Sequence, residues 1–449
     1  MSCVILLVVL AFRATSMAFK PSEASGRDIV AFESWASGSG VLKENGFVLS
    51  ENDNGDWSVA INDALTLGDP LGDRVLQVPS SLVLSSSTIR KEKTIMDKTS
   101  TAMEFLTKKK LENQANQFLL WLKILQEFEK GEDSILHPWL RSLPRKFSNA
   151  ICMDEVELDC LPPFAWSLAT IEILHMDSFI EALHMTRGII SQQTMDDSEL
   201  LRWAFNVVFT RCWGQDGDDD DADRKDIVPM GDMFNHGHPG NVFVHYDENG
   251  NCNIILKDDM LPGSPLQLSY GFETNPYRFL VVFGFVDESQ KTIYSQLLSK
   301  NPSKRHVEMG YDVSAMTFDT TDGSFTEEVW DFLLFSLLEQ VPELQEVYYK
   351  AHISGDKSTK DSLRRKFYLE TCIMLKKHVD KTLLEMKKLI DKVDQQDMSK
   401  HELLPMIRKN NVFVAQTFSK VKYRVDRMIQ DELSARKAQE QYTTQKSEL

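Results

Sequence analysis

The sequence predicts an α+β protein that ends in an all-helical domain. Three observations carry this. Short segments near residues 57–78 and 241–269 alternate apolar and polar residues, as half-buried strands do. The stretch between these blocks has apolar residues three and four positions apart, the helical spacing. Beyond about Thr326 the helical spacing takes over entirely.

Taken in order, Trp57 to Ile61 and Arg74 to Val78 read as strands, separated by the turn-rich run Gly68-Asp69-Pro70-Leu71-Gly72-Asp73. From about Thr101 to Leu125 the pattern is helical, with Phe118, Leu122 and Leu125 on one face. A loop, Gly131-Glu132-Asp133-Ser134, precedes His137-Pro138-Trp139-Leu140 and Leu143-Pro144, and further helix runs to about Ser191. Ser198 to Trp213 reads as one amphipathic helix. The acidic run Asp216 to Asp223 reads as a solvated loop. It fails as an EF-hand because Asp221 stands where that loop needs glycine. Asn241 to Tyr246 and Cys252 to Leu256 flank Asp247-Glu248-Asn249-Gly250, an Asn-Gly hairpin signal, and Leu266 to Ser269 is the next strand. Leu375, Val379, Leu383, Met386, Ile390 and Val393 form one helical stripe, and Val414, Phe418, Val421, Val425 and Met428 another. A loop containing Pro405 is expected to join them as an antiparallel pair.

Composition excludes several classes. Of 449 residues, 42% are hydrophobic and 26% charged, which suits a soluble globule. The net charge is −17, from 50 Lys plus Arg against 67 Asp plus Glu. That balance disfavours nucleic acid, whose phosphates need basic residues, and suits a basic partner. The six cysteines form no C-x2-C pair, so no metal site or disulfide framework is expected. Cys3 to Phe12 is a run of ten apolar residues, too short to span a bilayer. It is followed by Ser16-Met17-Ala18, which reads as a cleavable leader over residues 1–18. Phe19 directly after the cut resembles the bipartite plastid leaders of algae with secondary plastids. The expected compartment is therefore the plastid, with the secretory pathway or cytoplasm as alternatives.

The informative segment is Pro229 to Asp287. It holds Asp232-Met233-Phe234-Asn235-His236, then Leu268-Ser269-Tyr270-Gly271, Asn275, and Phe283-Gly284-Phe285-Val286. In order and spacing these resemble the SET domain of the Rubisco large-subunit lysine methyltransferase type. Gly131 to Pro144, Arg202-Trp203-Ala204 with Thr210-Arg211, and the C-terminal helices resemble other parts of that family. The resemblance covers roughly residues 40–430. It implies a SET-domain β-fold over 41–290 with an inserted helical subdomain at about 91–200. A helical substrate-binding domain would follow over 291–435, with a linker over 19–40 and a polar tail over 436–449.

The same resemblance implies S-adenosyl-L-methionine as cofactor and a protein lysine as substrate. Arg211 matches the residue that holds the cofactor carboxylate, and Arg suits that role because its planar fork can bind bidentately. Asp232, Asn235 and His236 match the groups that meet the amino and adenine ends. Asn54, Gly55, Asp56 and Thr210 match further cofactor positions. Tyr270 matches the catalytic tyrosine, in an in-line displacement governed by orientation. Trp213, Phe283 and Phe285 are candidates for a narrow substrate channel. Such a channel helps because at pH 7 only about one lysine in 2,500 is neutral, a penalty of ~4.6 kcal/mol. Apolar surroundings lower that pKa by disfavouring the ammonium.

The sequence departs from the family at three places. Trp57 replaces the second glycine of the opening G-x-G, Phe283 replaces a tyrosine, and Val421 to Arg427 lacks the R-x-G-E-K pattern. Three functional readings follow. The leading one is a protein-lysine N-methyltransferase acting, as a monomer, on a non-histone protein with an exposed lysine in a basic context. The second is a degenerate SET protein that only binds a partner, which Trp57 favours. The third is a histidine methyltransferase. The actin-histidine branch carries Asn two residues after the cofactor arginine, whereas Trp213 stands there in this chain.

Overall fold

The computed structural model describes residues 27–44, 46–52, 56–62, 73–214, 223–271, 276–294, 303–311 and 316–447. The leader, Asn54, Gly55, Asn275 and all but the end of the acidic loop lie outside these residues. The chain forms two compact units, Met1–Phe147 with Leu174–Tyr270, and Ser148–Ile173 with Gly271–Leu449. Residues 148–173, which the sequence reading places in the inserted helical part, belong to the second unit.

The first unit contains the strand blocks. A four-stranded antiparallel sheet runs Leu42–Lys43, Arg74–Val78, Cys252–Leu256, Val242–Tyr246. The central neighbours come from opposite sides of the long helical insertion in the sequence. The Asn-Gly turn forms as expected: Gly250 has φ +75°, and the Asp247 side chain accepts from the N–H groups of Asn249 and Asn251. Phe47–Glu51 pairs with Trp57–Ile61 as a hairpin, and Asn235–His236 pairs in parallel with Gln267–Leu268.

The inserted helices pack an aromatic core. Phe179 meets Phe118 at 5.3 Å, Phe205 at 5.6 Å and Trp121 at 5.8 Å between ring centres. The helix expected over 101–125 is in fact two, Lys93–Lys108 and Ala115–Glu129. Lys110 breaks it with φ +61°, a conformation a continuing helix excludes. The helix expected to reach Trp213 stops at Arg211, and Trp213–Gly214 pairs as a strand with Lys225–Asp226.

The second unit is mostly helical. Tyr368–Asp394 and Leu404–Ser447 run antiparallel, as ion pairs Arg408–Asp394, Lys422–Asp380 and Lys376–Asp426 mark along their length. Both predicted stripes supply its core, including Leu375, Val379, Met386, Val393, Val414, Phe418, Val421 and Val425. Pro405 lies in the first turn of the second helix and not in the connecting loop. The first turn tolerates proline because its N–H groups have no intrahelical partner. Among the described residues, no helix is long and apolar enough to cross a membrane.

His378, on the first of these helices, stands 6.1 Å from the Phe418 ring. Burial, assisted by the charge of Lys381, lowers its pKa to about 4. The unfolded chain takes up that proton near pH 6.5. The contribution to stability is therefore complete above about 6.5 and is lost as the pH falls toward 4. His378→Phe keeps the ring contact and removes the titration. Urea unfolding at pH 7 and pH 4 is expected to show the wild type losing up to about 3 kcal/mol more than the variant. Parallel losses would contradict the assignment.

Gly284 closes the turn Phe279–Phe283 in the left-handed region, φ +80° and ψ +34°. A Cβ there would sit 2.6 Å from the Ser148 carbonyl carbon and 2.8 Å from the Asn149 nitrogen. The Asn149 side chain also donates to Val282 O at 2.9 Å, which ties the two segments together. Gly284→Ala is expected to cost about 3–4 kcal/mol in unfolding free energy, combining backbone strain with a clash against main chain. A loss below about 1 kcal/mol would show that the segments can separate.

Candidate functional site

Four segments of the first unit build the site. The helix Ser198–Arg211 is capped by Asp197, whose carboxylate accepts from Glu199 and Leu200 N–H, and it ends in Arg211. A cation in the last turn complements the exposed carbonyls there. Arg211 Nη1 donates to Asp232 O at 2.7 Å and to Asp232 Oδ2 at 3.0 Å. Trp139 Nε1 donates to the same Oδ2 at 3.1 Å. Burial pushes the Asp232 carboxyl above the usual carboxylate range, against the pull of Arg211 and Trp139.

The turn carrying Asp232 is strained. Met230 is fully buried at φ +75°, rare for a residue with a side chain. Such strain persists only where surrounding packing over-determines it, and it concentrates at functional sites. Gly231 follows, with a Cβ position 3.3 Å from the Trp213 indole.

Two atoms of the Arg211–Asp232 pair remain unsatisfied. Arg211 Nε and Asp232 Oδ1 are buried and have no hydrogen-bond partner among the described residues. One is a donor and the other an acceptor. Leaving such groups buried costs about 1–3 kcal/mol each, so the pair is suited to a ligand bearing both an anion and a donor.

The parallel pairing of Asn235–His236 with Gln267–Leu268 delivers Tyr270 beside the same turn. His236 Nδ1 accepts from Tyr270 N–H at 3.1 Å, and Gln267 Nε2 donates to His236 O at 2.9 Å. Gly240 allows this approach, since a Cβ there would fall 2.4 Å from Ser269 N. The Tyr270 hydroxyl donates to Phe234 O at 2.8 Å. Burial pushes its pKa up to about 12, so it is neutral at physiological pH. A neutral hydroxyl whose proton is committed to a carbonyl can orient and polarise, but it cannot serve as a ready base.

Asn235 Nδ2 donates to Trp57 O at 3.1 Å, which ties this segment to the hairpin. The Trp57 ring is 4% exposed and lies 5.8 Å from the Phe32 ring. Its bulk is thus accommodated in packing. Asp56 is exposed and donates its N–H to Asn52 Oδ1. The Thr210 hydroxyl donates to Asn206 O within its own helix. Trp213 Nε1 donates to the Tyr246 hydroxyl at 3.3 Å.

Arg211, Asp232, Asn235, His236 and Tyr270 are therefore linked through one turn and one strand pair, and Trp213 borders that turn. Phe283 and Phe285 belong to the second unit, where they form a trio with Phe279 at 5.2–6.3 Å. Sequence reasoning singled out the Pro-Trp-Leu motif but missed Trp139 as a partner of Asp232. The two residues are 93 positions apart, and nothing local links them.

No family model matches the chain, and no curated protein matches it. Solved structures do. A crystal structure of the SET domain of LSMT bound to lysine and AdoHcy matches with TM-score 0.62 at 13% identity, over 92% of this chain and 93% of that one. Rubisco LSMT bound to sinefungin and monomethyllysine matches with TM-score 0.60 at 13% identity, and Rubisco LSMT bound to AdoMet with 0.59 at 14%. Each of these covers 90% of this chain and 92% of the other. The chain thus has the α+β SET-domain fold of these structures, with a helical C-terminal region.

Proposed function

We propose that this chain is an S-adenosylmethionine-dependent protein-lysine N-methyltransferase acting on a non-histone protein. The observation that carries the reading is the orphan donor and orphan acceptor within one buried ion pair, Arg211 Nε and Asp232 Oδ1. The amino-acid end of S-adenosylmethionine presents a carboxylate and an ammonium, which complement that pair. When bound, the cofactor supplies an electrophilic methyl group on a sulfonium centre. Arg211 would hold the carboxylate with charge-assisted hydrogen bonds. Asp232, Asn235 and His236 would meet the amino and adenine ends.

The remaining roles belong to the chain's own groups. Tyr270, neutral and anchored on Phe234 O, would orient the attacking nitrogen and offer its hydroxyl oxygen lone pair toward the methyl group being transferred. Because Tyr270 holds its proton, the substrate ammonium would lose its proton to solvent water before the attack, and desolvation near Trp213 would favour the neutral amine. The net charge of −17 favours a basic surface on the substrate.

The test is incubation of the purified full chain with methyl-tritiated S-adenosylmethionine and a soluble protein pool, followed by acid hydrolysis and amino-acid analysis. Label in methyl-lysine supports the reading, and label in methyl-histidine would replace it with the histidine reading. Absence of protein-bound label would favour a partner-binding role.

A further inference from the structure

The second unit contains a cavity of about 290 Å³ that the methyl-transfer reading does not use. Its lining comes from residues 162–164, Tyr277 and the two long C-terminal helices, all within that unit. Phe164, Met386 and Phe418 give it apolar walls, and Phe164 meets the Tyr277 ring edge to face at 5.7 Å. An apolar lining with a few placed polar groups is the usual composition of a small-molecule site. The volume is that of roughly ten waters, enough for a molecule the size of an aromatic amino acid.

Tyr277 is 7% exposed, yet its hydroxyl has no hydrogen-bond partner among the described residues. A buried phenol ordinarily has one. The Thr382 hydroxyl on the same lining, by contrast, is committed to His378 O at 3.0 Å. The Tyr277 hydroxyl therefore leaves a donor and an acceptor to be met by whatever fills the cavity. Lys381 and Glu385 also line it and stand one helical turn apart, with 3.8 Å between Nζ and Oε1. Their side chains are 75% and 39% exposed, which puts them at the mouth. An exposed pair of this kind holds weakly, so each charge can turn to a ligand. Opposite charges one turn apart match the carboxylate and ammonium carried by a single α-carbon.

We propose that this cavity binds a small zwitterion with a phenolic ring, free tyrosine being the probe. The ring lies among Phe164, Met386 and Phe418, with its hydroxyl against that of Tyr277. The carboxylate faces Lys381 and the ammonium faces Glu385. The site is independent of the methyl-donor reading above.

The test is equilibrium dialysis of the full chain against labelled tyrosine, with unlabelled competitors. Half-saturation is expected below about 1 mM. Phenylalanine lacks the hydroxyl and tyramine lacks the carboxylate. Each is expected to compete about tenfold more weakly than tyrosine, the loss of one polar contact. Tyr277→Phe removes a hydroxyl that makes no bond to the described residues, so the variant is expected to fold. It is expected to bind tyrosine and phenylalanine within about twofold of each other. Lys381→Met is expected to erase the preference for tyrosine over tyramine. A tenfold preference for tyrosine over phenylalanine that survives in Tyr277→Phe would overturn the proposal. N-acetyl-tyrosinamide competing as well as tyrosine would overturn the zwitterion and assign the cavity to a tyrosine within a polypeptide. Absence of tyrosine binding by the folded wild type would overturn the site altogether.

Discussion

Arg211→Ala is expected to abolish the stabilisation of the protein by S-adenosylmethionine. In the wild type, a ligand at 100 times its dissociation constant raises stability by about 2.7 kcal/mol, read as an upward shift of the unfolding midpoint. Arg211 supplies the guanidinium at the buried pair, and its Nη1 also fixes Asp232 through two hydrogen bonds. Losing two charge-assisted bonds to a carboxylate weakens binding by at least about 100-fold. The substitution also strands the Asp232 carboxyl, at about 3–5 kcal/mol for a broken buried pair. Arg211→Lys therefore accompanies it: it keeps the charge and loses the planar fork, and is expected to fold and bind about tenfold more weakly or worse. A ligand-induced shift retained in full by both variants would remove Arg211 from the site.

Tyr270→Phe is expected to lower the methyl-transfer rate by about 10²-fold to 10³-fold while changing cofactor affinity only a few-fold. The magnitude is that of losing one preorganised polar group from a buried reacting centre. The variant preserves the ring, so packing is retained and only the hydroxyl, held 2.8 Å from Phe234 O, is lost. Single-turnover transfer of labelled methyl to the acceptor protein, beside a binding titration, separates the two effects. A rate within threefold of wild type would assign Tyr270 a structural role.

The architecture was legible where a local signal had one physical meaning. Alternation at Trp57 to Ile61, the Asn-Gly turn after Asp247 and the two long stripes of the C-terminal helices all appear where expected. Boundaries were less legible, because Lys110 and Pro405 act through backbone conformation and not through hydrophobic period. Trp213 followed an apolar run and so read as helix, although strand pairing with Asp226 claims it. Arg211, Asp232, Asn235, His236 and Tyr270 were legible through motif order, and their convergence depends on the parallel strand pair. Trp139 was not legible as a partner of Asp232. Its contact to Asp232 spans 93 positions, and no periodicity encodes it.

The central claim is that the first unit carries a working S-adenosylmethionine site. Calorimetric titration of the purified full-length protein with S-adenosylmethionine tests it most directly. A saturable one-to-one isotherm with a dissociation constant in the micromolar range, about −8 kcal/mol, is the predicted result. A cooperatively unfolding, well-folded protein that takes up no ligand at millimolar concentration would contradict it and leave a SET fold that serves only to hold a partner.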